Sequence, residues 1–351
     1  MKPNRSAAGI FRDLVEPLLG WYAGSARSMP WRTPSPDPYR TLVSEIMLQQ
    51  TRVETVKPYF LRFVETLPDF AALADADEKI LLKLWEGLGY YSRARNLQKA
   101  ARAVMRDHAG KLPSGRAALL KLPGIGEYTA GALASIVFGL PEPAVDGNVL
   151  RVCARLLDCH DDIADPAFRS GVTERLRAVY PKGKCSEFTQ SLMDLGAMVC
   201  TPGTPDCPAC PLRTLCRGFR AGTAASLPVR KKAPPRRVER KTVFLLISKS
   251  GRTALRKRPS GGVLAGLWEY PAEDGTLSEK DAAAWLERHG LSLVKLRKCP
   301  SWKHVFTHLE WHLSGWCAEG TDEPPEFVWA TPEELRRVYS LPGAFKGLEK
   351  P

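Results

Sequence analysis

The chain has 351 residues, room for two or three domains each with its own core. Apolar residues make up 44% and charged residues 25%, ordinary for a globular protein, so disorder is expected only in linkers. The 51 Lys and Arg against 38 Asp and Glu leave a net charge of +13, which favours a polyanion, nucleic acid before an anionic membrane surface; a solvated basic surface is the bland alternative.

The first residues, "MKPNRSAAGIFRDLVEPLLGWY", place Asp13 and Glu16 where a signal peptide needs an uninterrupted apolar core. No apolar run has the length of a membrane span, so a cytoplasmic location is expected. The nine cysteines fit a reducing compartment better than a secreted disulfide framework, because they are odd in number and only four cluster.

From about residue 8 to 225 the pattern is helical. In "YRTLVSEIMLQQTRVETVKPYFLRFVETL", Val43, Ile46, Met47, Val53, Val56 and Phe60 recur at three- and four-residue spacing, one face of amphipathic helices. Pro68, Pro113, Pro123, Pro141 and Pro143, with Gly87, Gly89, Gly110, Gly124 and Gly126, cut the region into short helices. No unit of solenoid length repeats.

Glu45 stands beside the apolar stripe in "SEIMLQQT", as an exposed helix acid or something more specific. Further on, "LPGIGEYTAGAL" sets Gly124 and Gly126 in a turn before a small-residue helix. Glycine there lets a ligand approach the backbone N–H groups, and the helix adds its positive N-terminus, so the turn suits a phosphate. An ordinary helix-to-helix turn reads the same in isolation. Asp146, in "AVDGNVLRV", precedes another helix and is a ready N-cap.

The sharpest local signal is Cys200, Cys207, Cys210 and Cys216, spaced C-x6-C-x2-C-x5-C in a proline-rich segment. Four soft thiolates on one short loop suit zinc or an iron–sulfur cluster in a structural role; spacing leaves both open, and colour distinguishes them. Cys153, Cys159, Cys185, Cys299 and Cys317 read as buried small apolar residues.

Composition shifts after Cys216. Residues 226–241 form the expected linker, whose stretch "RKKAPPRRVERK" holds seven basic residues, one acid and two prolines and could lie along phosphates or merely be solvated. Beyond it, over 242–351, "TVFLLIS", "KSG" and "RTALRKR" suggest a hairpin, "AAAWLERHG" a short helix and "HVFTHLEWHLSGWCA" a strand, together a smaller α/β domain.

Taken together, the glycine hairpin, the Asp in "VDGNV" and the four-cysteine loop resemble the helix–hairpin–helix DNA glycosylases of the endonuclease III superfamily. "SEIMLQQT", "GLGYYSRARNL" and the C-terminal domain narrow the resemblance to MutY-type adenine DNA glycosylases, over roughly residues 10 to 345. It implies mainly α glycosylase lobes over 8–225 with a [4Fe–4S] cluster loop at 200–216, plus a Nudix-like recognition domain over 242–351.

The resemblance also assigns roles. Base excision takes the nucleotide out of the stack, and Gln50 and Tyr90 match the side chains that intercalate; a surface amide and a core aromatic are the plain readings. Breaking the bond to adenine needs a proton on the base and negative charge near the sugar cation, and the match gives Glu45 the first task and Asp146 the second, the latter alone or through a transient covalent bond. Glycosylases of this superfamily that also cut the strand carry lysine at the hairpin position, because a Schiff base needs an amine. This chain has Tyr128, so base removal alone is implied, with Tyr128 hydrogen-bonding near the sugar or simply packed. Gln190 matches a residue that contacts adenine. Asn148 matches one that orients Asp146 or meets phosphate.

In "RKRPSGGVLAGLWEYPAEDGTLSEKDAAAWLERHG" the R-E-x-x-E-E core of a Nudix hydrolase is missing, so recognition replaces hydrolysis. In the family a Phe-Ser-His loop reads 8-oxoguanine. Here the residues are Phe306, Thr307 and His308; threonine keeps the hydroxyl and narrows its rotamers. The expected partner is duplex DNA with A:8-oxoguanine or A:G mismatches, bound by a monomer associated with the nucleoid. The rivals are a pyrimidine glycosylase of the same superfamily and a non-catalytic DNA-binding or redox-sensing protein.

Overall fold

The computed structural model describes residues 6–231, 234–292 and 295–348. Thirteen helices come first among them: α1 Ala7–Asp13, α2 Val15–Ser25, α3 Pro38–Leu48, α4 Val53–Thr66, α5 Phe70–Asp75, α6 Glu78–Leu84, α7 Ser92–Asp107, α8 Arg116–Leu119, α9 Glu127–Ile136, α10 Gly147–Leu157, α11 Pro166–Arg177, α12 Cys185–Met198 and α13 Arg217–Ala221. Local chemistry explains several starts. Asp37 caps α3 by accepting from the Arg40 N–H at 2.6 Å, with Pro38 in the first turn where no N–H is needed. Asp165 caps α11 in the same way, again with a proline next to it.

By their contacts the residues divide into two units, Met1–Asp75 with Asn96–Lys232 and Ala76–Arg95 with Ala233–Pro351. The core of the first joins Ile10, Phe11 and Leu18 from α1 and α2 to Leu150 and Cys153 of α10 and to Phe188 and Leu192 of α12. Burying this apolar face, more than helix propensity, holds such short helices.

The second unit contains β1 Arg237–Ser248, β2 Thr253–Lys257, β3 Trp268–Glu269, β4 Ala272–Asp274, α14 Glu279–Arg288, β5 Lys295–Val305, β6 Leu309–Thr321, β7 Val328–Ala330 and α15 Pro332–Arg337. Its sheet runs β3-β2-β1-β6-β5, with β4 also on β1 and β7 on β2. The central pair β1–β6 is parallel, and its neighbours β2 and β5 are antiparallel to it. Alternation along β1 sends Val243 into one core with Leu255, Trp311 and Phe345, and Phe244 into another with Trp285 and Trp316. Both faces of the sheet are therefore covered.

Two boundaries differ from expectation. The linker over 226–241 is shorter, because Arg237 already pairs with Leu309 and begins β1. Ala76–Arg95 groups with the C-terminal residues, not with the helical region that surrounds it in sequence. Polar contacts account for this: Lys83 donates to the carbonyls of Leu335 and Tyr339 at 3.2 Å each, Glu86 accepts from the Leu341 N–H at 2.8 Å, and Arg95 donates to the Ala265 carbonyl at 3.0 Å. Among the lone cysteines, Cys153, Cys185 and Cys317 are buried as expected, whereas Cys159 and Cys299 are only half-buried.

Candidate active site

Within the first unit, a cavity of about 720 Å³ is lined by Glu45, Tyr128, Asp146, Asn148 and Gln190, five residues spread over α3, α9, α10 and α12 and the turns that start them. Glu45 sits near the end of α3 and is only 6% exposed. The Tyr128 hydroxyl donates to Glu45 Oε2 at 2.8 Å. Burial raises the Glu45 carboxyl to about 7; the Tyr128 bond opposes the rise, the charge of Asp146 adds to it and Arg32 opposes it. Burial also pushes the Tyr128 phenol well above its ordinary range, so Tyr128 keeps its proton and remains the donor.

Asp146 is the N-cap that its position suggested, and it faces the cavity as well. Its Oδ1 accepts from the Val149 N–H at 2.8 Å and its Oδ2 from Asn148 Nδ2 at 2.7 Å. Asn148 in turn accepts from Arg151 at 2.9 Å, and Arg151 donates to the carbonyls of Gly196 at 2.7 Å and Cys200 at 2.8 Å. The approach of α12 to α10 here requires glycine: a Cβ at position 196 would lie 2.6 Å from that of Asn148. Gln190 donates to Ser186 at 3.0 Å and also borders the cavity.

One wall is built by Arg27 and Arg32 on a fully buried Asp194. Arg32 reaches both Asp194 oxygens, at 2.7 and 2.9 Å, and Arg27 Nε reaches one at 2.7 Å. Burial alone would raise the Asp194 carboxyl; the hydrogen bonds and charges of the two arginines outweigh it and hold the group below the usual carboxylate range.

The hairpin lies between α8 and α9. Gly124 has φ +78°, and a Cβ there would come within 2.7 Å of the Asn96 Cβ, so the turn demands glycine twice over. Gly126 is the N-cap of α9, and a Cβ on it would meet nothing within 4 Å, leaving that side of the turn open. Gln50, two residues past α3, is exposed with φ +61°, a left-handed backbone rare for a residue with a side chain.

Cys200, Cys207, Cys210 and Cys216 line one small cavity together with Arg155, which donates to Cys200 Sγ at 3.3 Å; the Phe219 N–H donates to Cys216 Sγ at 3.4 Å. A buried guanidinium and a backbone donor suit thiolates. Among the described residues no three His, Cys, Asp or Glu side chains are gathered tightly enough for a single metal ion. Four sulfurs lining one shared space are a donor set that zinc or an iron–sulfur cluster takes.

In the second unit Tyr90 is 47% exposed, with φ +48°, and its hydroxyl lies 2.8 Å from Thr307 Oγ1. Tyr90, Phe306, Thr307 and His308 line a common cavity of about 500 Å³. The structure thus gathers most of the expected residues into three groups: Glu45, Tyr128, Asp146, Asn148 and Gln190; the four cysteines; and Tyr90 with the 306–308 loop, while Gln50, Gly124 and Gly126 line none of these cavities.

Residues 43–177 match the model of the HhH-GPD superfamily of base excision DNA repair proteins, and residues 242–349 match the NUDIX domain. An endonuclease III solved in a non-covalent complex with DNA superposes with a TM-score of 0.53 at 26% identity, covering 62% of this chain and 99% of that one. Human adenine DNA glycosylase is 33% identical over 95% of this chain and 74% of its own. That of Buchnera aphidicola subsp. Baizongia pistaciae is 32% identical over 85% of this chain and 83% of its own. The chain belongs to the adenine DNA glycosylase family.

As a family member it is a base-excision DNA repair enzyme with a helical lobe like that of endonuclease III and a Nudix-like C-terminal domain. Sequence reasoning missed Arg27, Arg32, Asp194 and Arg151 in this adenine DNA glycosylase family member. Arg27 and Arg32 are separated from Asp194 by 167 and 162 residues, so no local spacing signals the contact. Arg151 was detectable in principle, since it stands one helical turn after Asn148 and shares its face.

Proposed function

We propose that the protein excises adenine opposite 8-oxoguanine or guanine in duplex DNA by hydrolysing the N-glycosidic bond, leaves an abasic site and does not cut the strand. The observation that carries this reading is the shared cavity of Glu45 and Asp146, with Glu45 raised to about 7 so that a large fraction is protonated at neutral pH.

In this reading Glu45 passes its proton to the departing purine as the bond's electron pair moves onto the base. Asp146, oriented by Asn148 and the Val149 N–H, faces the positive charge that develops on the deoxyribose. Glu45, now ionised, takes a proton from the water that adds to the sugar carbon and returns to its starting state. Tyr128 holds Glu45 in place, and because its phenol stays protonated and carries no amine it forms no Schiff base with the sugar. Gln190 supplies an amide to the adenine edge. The open turn at Gly124 and Gly126 receives a backbone phosphate, Gln50 and Tyr90 fill the gap in the stack, and Phe306, Thr307 and His308 read the opposite base.

Cys200, Cys207, Cys210 and Cys216 hold a [4Fe–4S] cluster, which ties the 200–216 loop together. The enzyme acts as a cytoplasmic, nucleoid-associated monomer. The deciding assay uses duplexes with adenine, thymine or an oxidised pyrimidine at the target position. Adenine release, with strand breakage only after alkali, is the expected result; release of a pyrimidine, or breakage without alkali, would end this reading.

A further inference from the structure

The loop from Phe306 to His308 is held in a defined shape. Its turn closes through the Phe306 N–H to the Leu309 carbonyl at 2.9 Å, and the Phe306 ring packs edge-on to His304 and Trp311, with centroids 4.7 and 4.9 Å away. The Tyr90 and Thr307 hydroxyls meet at 2.8 Å. The Phe306 carbonyl accepts from Arg236 Nε at 3.0 Å.

Arg236 ends the basic linker. Its position follows from strand register: β1 starts at Arg237, which pairs in parallel with Leu309, the first residue of β6 and the first after the loop. The preceding residue therefore stands beside the loop, and the arginine there reaches the Phe306 carbonyl. Arg236 is exposed, so no core packing explains its conformation.

We infer that Arg236 is a positioning residue for opposite-base discrimination: by fixing the Phe306 carbonyl it sets the peptide plane from which Thr307 presents its hydroxyl. The inference rests on the reading that the 306–308 loop contacts the base opposite adenine. Freed from Arg236, the loop keeps its turn bond, the Phe306 ring packing and the Tyr90 contact but loses the hold on the Phe306–Thr307 peptide, which samples more orientations and weakens a geometrically demanding contact to the oxidised base more than it weakens binding in general.

The test is single-turnover adenine release from A:8-oxoguanine and A:G duplexes by the full chain and its R236M, R236K and T307A variants. Methionine keeps the aliphatic stem and loses the donor; lysine restores a donor. R236M is expected to lower the ratio of the two rate constants roughly tenfold, as for loss of a charged hydrogen bond, with the A:G rate and the melting temperature unchanged. R236K recovers part of the ratio, and adding R236M to T307A lowers it no further, because both act through one hydroxyl. A ratio that falls with T307A and survives R236M would overturn the inference alone, as would an equal loss on both duplexes, the mark of a simple phosphate contact. A wild-type enzyme whose ratio T307A leaves untouched would overturn the reading of the loop itself.

Discussion

The Tyr128 hydroxyl donates to Glu45 across 83 residues of sequence, joining the helix after the glycine hairpin to the acid buried at the end of α3. That bond holds the Glu45 carboxyl lower than burial alone would leave it. In Y128F the falling alkaline limb of the excision rate therefore moves to higher pH than in the wild type, where it lies near 7. Below that limb the rate drops about tenfold from lost orientation. Single-turnover rates across pH measure both effects, and a limb that moves down would contradict the assigned direction.

Stability carries the same signature. A carboxyl raised to about 7 from 4.5 makes the folded chain bind its proton more tightly than the unfolded chain. The stabilisation is complete below pH 4.5 and is lost as the pH rises through 7. Above that, a buried charge costs the fold about 3 kcal/mol. E45Q is thus expected to match the wild type in urea at pH 4, to exceed its stability by up to about 3 kcal/mol at pH 8, and to release no adenine.

Asp194 offers a contrasting case. It has no exposed surface and accepts from two arginines. Removing its charge in D194N leaves guanidinium groups without their counter-ion, a change that typically costs 3–5 kcal/mol, or about that much here, read as a lower urea midpoint.

At the hairpin, G124A combines a left-handed φ of +78° with a Cβ pressed on Asn96. The backbone alone costs about 1–2 kcal/mol. Weaker duplex binding with a shallower salt dependence is expected beside the loss of stability. G126A, where a Cβ meets no protein atom, should spare stability and weaken binding alone.

For the cysteine loop, purified protein is expected to be brown and to contain iron. C210S should lose both colour and thermal stability together. Zinc in a colourless, fully stable protein would remove the cluster.

Much of this was legible in the sequence because it is local. Apolar spacing marks α3 and α4, the proline and glycine breaks mark the short helices, and four cysteines on one loop advertise themselves. Asp146 showed its capping role but not its second one, since a residue before a helix looks the same whether its side chain ends at the backbone or borders a cavity. Glu45 read as exposed on the helix pattern alone, yet tertiary packing buries it. The beginning of β1 was hidden by charge: Arg237, Arg240 and Lys241 look like linker, but parallel pairing with β6 fixes their backbone whatever their side chains do. The grouping of Ala76–Arg95 with the C-terminal unit depends on side chains meeting carbonyls some 250 residues away, which no window along the chain can see.

The Asp194 pair of arginines has one more effect. A chain with an excess of 13 positive charges attracts a polyanion over its whole surface, and a recess of the same sign would trap phosphate. In and behind the cavity Arg27, Arg32 and Arg52 are offset by Asp194, Asp146 and a Glu45 that is about half ionised near pH 7, while Glu54 pairs with Lys57. The outside draws in the duplex backbone, but the chamber is near electroneutral and so better suited to an uncharged aromatic ring than to the phosphodiester that delivers it.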